Sequence, residues 1–212
     1  MLKNYFTVAI RNILKHRVFS FINIFGLAVA MSICMAIMML VADQMMYDRF
    51  NPDRDRIYRI TTRQVDPNNR LEIGNPYATA TLPVRDELLT KYTGIEKAVR
   101  IMRGFGNGWM ELEPGYDVNI PVSGYFVDAE ILELFHYELE YGNPKTALRD
   151  PYSVVLTKET AEKLFKQENP VGETFKVGDL GIYTVTGVIK DNGHKSHIAV
   201  DAFASISTVS SL

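Results

Sequence analysis

The chain has 212 residues, 47% hydrophobic and 23% charged, which suits one domain or two small ones and excludes a disordered or collagen-like chain. A net charge of −2 and a pI near 6.1 argue against a nucleic-acid partner. The single cysteine, Cys34, excludes an intramolecular disulfide framework and a Cys-rich zinc site.

The charge is segregated. Residues 1–42 carry Lys3, Arg11, Lys15 and Arg17 and no acid, a balance of +4, and the remaining 170 residues carry −6. Such asymmetry places the two parts in different surroundings. Within the first part, Phe6, Ala9, Ile10, Ile13 and Leu14 recur at helical spacing, with Lys3, Arg11 and Lys15 on other faces. Residues 1–17 therefore read as a basic amphipathic helix at a membrane surface, or as the first turns of a longer anchor.

Val18–Ala42 is a 25-residue run without a charge. At about 1.5 Å per residue it exceeds the roughly 30 Å hydrocarbon core of a bilayer, so a transmembrane helix is expected over 18–42. A cleaved signal peptide has a shorter apolar region, a shorter basic lead and a small-x-small cleavage site after the run, where this chain has no Ala-x-Ala. Cys34 lies inside this run and reads as a small packing residue, because a thiolate is disfavoured in lipid.

Four bases precede the span, and Arg49, Arg54, Arg56 and Arg59 follow it among four aspartates. Long domains translocate largely regardless of charge, so the expected orientation is N-terminus in the cytoplasm and residues 43–212 outside. Lys15, Arg17, Tyr47 and Arg49 are the expected headgroup-zone residues at the two ends of the span.

From Tyr47 onward the pattern changes to short elements. Ile57–Gln64 is rich in β-branched and aromatic residues and predicts a strand, with a turn at Asp66–Asn69 and a return strand near Leu71–Ile73. Pro83–Tyr92 predicts a helix with proline in its first turn, stopped by Thr93-Gly94. Strands are expected at Ala98–Met102 and at Val118–Val122, the latter an edge because of Pro121.

Gly104–Gly108 lacks the Lys-Ser/Thr of a phosphate loop and reads as a turn between strands. Ala129–Phe135 predicts a short helix and Ser153–Leu156 a strand. Thr157 is then the N-cap of a helix Lys158–Phe165 that puts Ala161, Leu164 and Phe165 on one face. Glu173–Val177 and Ile182–Lys190 predict strands joined by a turn at Gly178–Gly181. Strands with three short helices imply a mixed α+β domain over 43–212.

No catalytic constellation emerges. His194 and His197 have H-x-x-H spacing, but in a loop composition and without the Glu of H-E-x-x-H. There is no G-x-S-x-G elbow. No cofactor, metal or catalytic residue is assigned.

Several segments in fixed order resemble one family. The opening NYFTVAIRNILKHRVFSFINIFGLAVAMS is similar to the start of an FtsX/MacB-type ABC transporter permease, and YDRFNPDRDRIYRI (47–60) to the lead-in of its periplasmic core domain. The segments 142–177 and 183–197 resemble the family's T-x-x-x-A-x-x-L-F helix and P-x-G-x-x-F turn. Here these are Thr157, Ala161, Leu164 and Phe165, then Pro170, Gly172 and Phe175. The family usually has Gly where this chain has Lys166, and a Pro-rich loop with Asn-Ser-His where this chain has Gly193–His197.

The resemblance implies a non-catalytic permease subunit of the bacterial inner membrane. A separate cytoplasmic ABC ATPase would work with it, consistent with the absence of a Walker motif. It further implies a permease dimer in the lipid bilayer and a periplasmic client or adaptor protein. Family permeases have at least four spans, so the chain is expected to be the N-terminal part of one, with its final residues starting an element whose partners lie beyond Leu212. A membrane-anchored sensor or adaptor with a binding domain, and a tethered enzyme, remain alternatives.

Overall fold

The computed structural model describes residues 2–65, 73–106, 109–111, 119–191, 193, 196–198, 200 and 201–210. The chain falls into two compact units, Met1–Arg49 and Phe50–Leu212.

The first unit contains two helices, α1 (Leu2–Lys15) and α2 (Arg17–Gln44). The bond from His16 N to Asn12 O (3.0 Å) keeps the helical ladder running, but His16 itself sits at φ −114°, ψ 56° and separates the two. The Arg17 guanidinium donates from Nε to Leu14 O (3.2 Å), covering a carbonyl freed at that break. Helix α2 is 28 residues long, about 42 Å, and no side chain on it is buried within the unit. It is long and apolar enough to cross a membrane. Its Ser32 hydroxyl donates to Ala28 O (2.8 Å), which satisfies a polar group on an otherwise apolar surface.

The second unit is the expected mixed α+β domain. Strands β1 (Thr62–Val65) and β2 (Ile73–Tyr77) form an antiparallel pair, followed by helix α3 (Val84–Lys91). A large sheet is then built from β3 (Ile101–Phe105), β4 (Trp109–Glu111), β5 (Asn119–Pro121), β6 (Gly124–Val127), β7 (Leu139–Gly142) and β8 (Ser153–Thr157). It is completed by β9 (Thr174–Val177), β10 (Ile182–Ile189) and β11 (Ala202–Ser205). The strand order is β3-β6-β11-β8-β10-β9-β4-β5, with β7 pairing β10. The one-turn helix α4 (Ile131–Leu134) follows β6, and helix α5 (Lys158–Phe165) crosses from β8 to its parallel neighbour β10.

The central strands are apolar on both faces, as expected of a sheet covered on both sides. Val154 and Leu156 of β8, Ala202 and Ala204 of β11, and Phe126 of β6 join one core, with Ala161 and Leu164 of α5. The intervening Val155, Phe203 and Val127 join a second core with Ile131 and Leu132 of α4. Phe105 packs edge-to-face on Phe126 and Tyr183 in the first. Thr186 is an extra residue in β10 against β8, a bulge whose hydroxyl bonds Val154 O (3.0 Å) and Ala147 O. The bulge leaves room beside Gly142 for hydrogen only. At φ +96°, a Cβ there would stand 2.3 Å from Thr186 O.

Several expectations shift. The strand expected at Ile57–Gln64 is confined to Thr62–Val65, because the preceding residues bond elsewhere: Arg54–Arg56 form a 3₁₀ turn and Arg59 Nη2 donates to Ala78 O (2.9 Å). The strand expected at Ala98–Met102 starts at Ile101, since Ala98 O accepts from Arg85 Nε (2.8 Å) and Arg100 N donates to Asp128 Oδ2 (2.7 Å). The helix at Ala129–Phe135 shortens to Ile131–Leu134, where His136 turns left-handed (φ 53°).

Strand β11 lies between β6 and β8, and all four of its residues are buried. The turn at Asp66–Asn69, Leu71 of the expected return strand, part of the Gly104–Gly108 loop and His194 lie outside the described residues. Strand β5 is at the sheet edge, as Pro121 requires.

Candidate functional site: the stalk attachment and an adjoining groove

The segment that follows the span is built into the domain. Asn51 is 3% exposed; its Nδ2 donates to Leu134 O at the end of α4 (3.2 Å), and its Oδ1 accepts from Asp53 N (2.9 Å). Asp53 Oδ2 lies 3.0 Å from His136 Nε2. Arg56 pairs with Glu96 and lies 3.8 Å from Asp53. The left-handed backbone of His136 aims its ring back at this segment, and the bond from Tyr137 N to Leu132 O (2.8 Å) closes the turn. Sequence reading gave the 47–52 cluster only a headgroup role and missed Asn51. Its one available signal was an Asn-Pro-Asp run, which favours a side-chain-to-backbone turn.

Next to this attachment lies an open groove of about 1140 Å³, at the carboxyl ends of the parallel strands β6 and β11. His136 is part of its lining. At one end Asp128, 5% exposed, holds Arg100 through Nε (3.0 Å) and Nη2 (2.6 Å). Arg85 Nε lies 3.3 Å from the same carboxylate, and Arg85 Nη2 is 3.3 Å from Glu130. The hydrogen bond to Asp128 raises the Arg100 pKa further. A hydrogen bond from Lys97 holds the Glu133 carboxyl below the ordinary range. These charges tie α3, β3 and the end of β6 together. They are arranged as closed pairs and place no activated acid or nucleophile. Among the described residues no group of three His, Cys, Asp or Glu could hold a metal.

The residues expected at the membrane boundary are separated in the chain. Lys15 ends α1, Arg17 starts α2, and Tyr47 and Arg49 lie in the turns after α2. The motif residues gather around α5. Thr157 Oγ1 accepts from Thr160 N (3.3 Å) as N-cap, and Thr160 Oγ1 sits 2.9 Å away where a capping box would have Glu. Ala161 and Leu164 are buried, and Phe165 packs edge-on against Phe175 (6.1 Å). Pro170 is buried, and Gly172 (φ +98°) donates its N–H to Val185 O (2.8 Å), joining the turn to β10. Lys166 occupies the left-handed cap position of α5 (φ 51°), which explains the glycine common there.

A family model, the MacB-like periplasmic core domain, matches residues 20–212. Three solved structures show likeness. The periplasmic region of MacB from Actinobacillus actinomycetemcomitans is 18% identical, with 59% of this chain and 55% of that chain covered and a TM-score of 0.46. A domain from Porphyromonas gingivalis, described as that of a permease protein, is 22% identical, with coverage of 58% and 56% and a TM-score of 0.49. The extracellular domain of YknZ, a noncanonic ABC-type transporter from Gram-positive bacteria, is 14% identical, with coverage of 58% and 61% and a TM-score of 0.45. The matched region thus spans between 55% and 61% of those chains. No curated protein matches. With an apolar helix ahead of the α+β unit and the family match running through both, the chain belongs to the MacB-like periplasmic core domain family of ABC transporter permeases.

Proposed function

We propose that this chain carries ATPase-driven motion from the membrane to an external domain that acts on a periplasmic client or adaptor. In this reading α2 spans the inner membrane, the N-terminus is cytoplasmic, and a separate cytoplasmic ABC ATPase drives a permease dimer. The observation that carries it is the attachment of the buried Asn51 and the half-exposed Asp53 to the α4 corner. Only six residues separate Gln44 from Asn51. A Gly/Ser-type linker would dissipate a displacement as coil entropy. A segment fixed by a buried amide and a carboxylate–imidazole contact passes displacement to the sheet.

The test is a motion measurement on the permease reconstituted with its ATPase in nanodiscs, with Cys34→Ser as background. Spin labels at Asn12→Cys and at exposed Asp179→Cys report distances between copies, without nucleotide and with trapped nucleotide. Both distances are expected to change in the native attachment. With Asn51→Ala and Asp53→Ala combined, the Asn12 change should persist and the Asp179 change should be lost. An Asp179 change of unaltered size in that variant defeats the proposal.

A further inference from the structure

The groove is lined by four acids and four cations, but two of the acids pair with cations from outside the lining, so the ion pairing is uneven. Each of its four lining acids holds a cation: Asp128 holds Arg100 and Arg85, Glu130 holds Arg85, Glu133 holds Lys97 and Glu138 holds Lys190. Two lining cations, Lys145 and Arg149, have no ion pair among the described residues. The groove serines do not supply free donors: Ser205 Oγ donates to Leu148 O (2.8 Å) and Ser210 Oγ to Ser207 O (2.8 Å). The apolar lining has a fixed base and a wetter edge. Leu132 and Leu148 are buried, and Leu82 is 45% exposed.

We infer that this groove is the docking site for an acidic, amphipathic segment of a protein partner, with Lys145 and Arg149 receiving its carboxylates. Charge complementarity chooses the sign, because every acid in the lining is held in an ion pair while Lys145, which acts on Glu133 only from a distance, and Arg149 are not. The apolar residues between the charged walls select a segment with an apolar face. The inference rests on the transmission reading for its consequence, since His136 both lines the groove and contacts Asp53. A partner held there sits one side chain from the stalk.

The experiment is an equilibrium titration that needs no ATP. The full 212-residue chain in phosphatidylcholine nanodiscs is titrated with a fluorescent Glu/Leu amphipathic peptide, its Lys/Leu and Gln/Leu counterparts, and phosphatidylglycerol vesicles, with empty nanodiscs as blank. The Glu/Leu peptide is expected to bind more tightly than either counterpart. Lys145→Glu with Arg149→Glu should weaken it at least about tenfold at low salt, with the difference shrinking as salt rises. Leu82→Ser should weaken Glu/Leu and Gln/Leu peptides alike.

All three side chains are exposed, so their replacement leaves the core intact. Equal binding of the Glu/Leu peptide to the native and reversed chains overturns the inference. So does the lack of any preference for it, or Lys145- and Arg149-dependent capture of the anionic vesicles in its place. An Asp179 change of unaltered size in the Asn51→Ala, Asp53→Ala variant, with peptide binding intact, would count against transmission and leave the groove standing.

Discussion

Tyr183 shows what a single side chain contributes at this scale. It is fully buried between Phe105 and Tyr152, and its hydroxyl has no hydrogen-bond partner among the described residues. Burial, with a smaller push from Tyr152, raises its pKa to about 12. The folded state therefore keeps the proton over a range in which the unfolded chain, titrating near 10, has lost it. Above pH 10 the unfolded state binds fewer protons, so stability falls by about 1.4 kcal/mol per pH unit until the folded value is reached.

Tyr183→Phe should remove that slope. It should also raise neutral-pH stability by about 1 kcal/mol, because an unsatisfied buried hydroxyl is removed with little change of shape. Urea midpoints measured from pH 8 upward, native against variant, check both. A variant with the same alkaline slope would show that another group causes it. The sequence could place Tyr183 in a strand, but not reveal its missing partner, because that depends on which side chains five other strands bring around it. Asn51 was illegible for the same reason: its acceptor is a carbonyl 83 residues away.

At the scale of elements, legibility followed locality. Helix α5 was readable because its signals are adjacent in the chain: Thr157 as cap and an apolar face at Ala161, Leu164 and Phe165. Strand β8 was readable as a short apolar run. Strands β6, β7 and β11 were not expected as strands. β6 and β11 carry Gly124 and the small Ala202 and Ala204, where close approach outweighs β-propensity: a Cβ on Gly124 would lie 2.7 Å from Ala202 O. The start of β3 moved because Arg85 and Asp128 draw the preceding backbone at Ala98 and Arg100 into side-chain bonds, which no local pattern encodes.

The stop of α5 yields a prediction. Lys166 holds φ 51°, a conformation that costs a side chain with a Cβ about 1 kcal/mol or more. Lys166→Gly removes that cost and adds unfolded-state entropy, so a net gain of about 0.5 kcal/mol is expected in chemical denaturation. Loss of stability would mean that the Lys166 side chain makes compensating contacts.

For the whole molecule, the composition average conceals two chains in one: 42 residues with four bases and no acid, then 170 with an acidic excess. Orientation depends on which flanking charges the insertion machinery weighs. The four arginines after the span equal in number the four bases before it, yet they open a long folded domain, where flanking charge has little influence. In the folded domain Arg56 pairs with Glu96, Arg54 with Asp55, and Arg59 bonds a backbone carbonyl, so these side chains serve the fold.

Lys15 and Arg17 precede the apolar run directly, at the distance where flanking charge weighs most. The proposed orientation keeps the N-terminus inside and carries residues 43–212 across. In spheroplasts, with Cys34→Ser as background, an impermeant maleimide should label Asp179→Cys and spare Asn12→Cys until the membrane is permeabilised. Labelling of Asn12→Cys alone would invert the orientation. It would also put the groove with Lys145 and Arg149 on the side of the cytoplasm, where no periplasmic client could reach it.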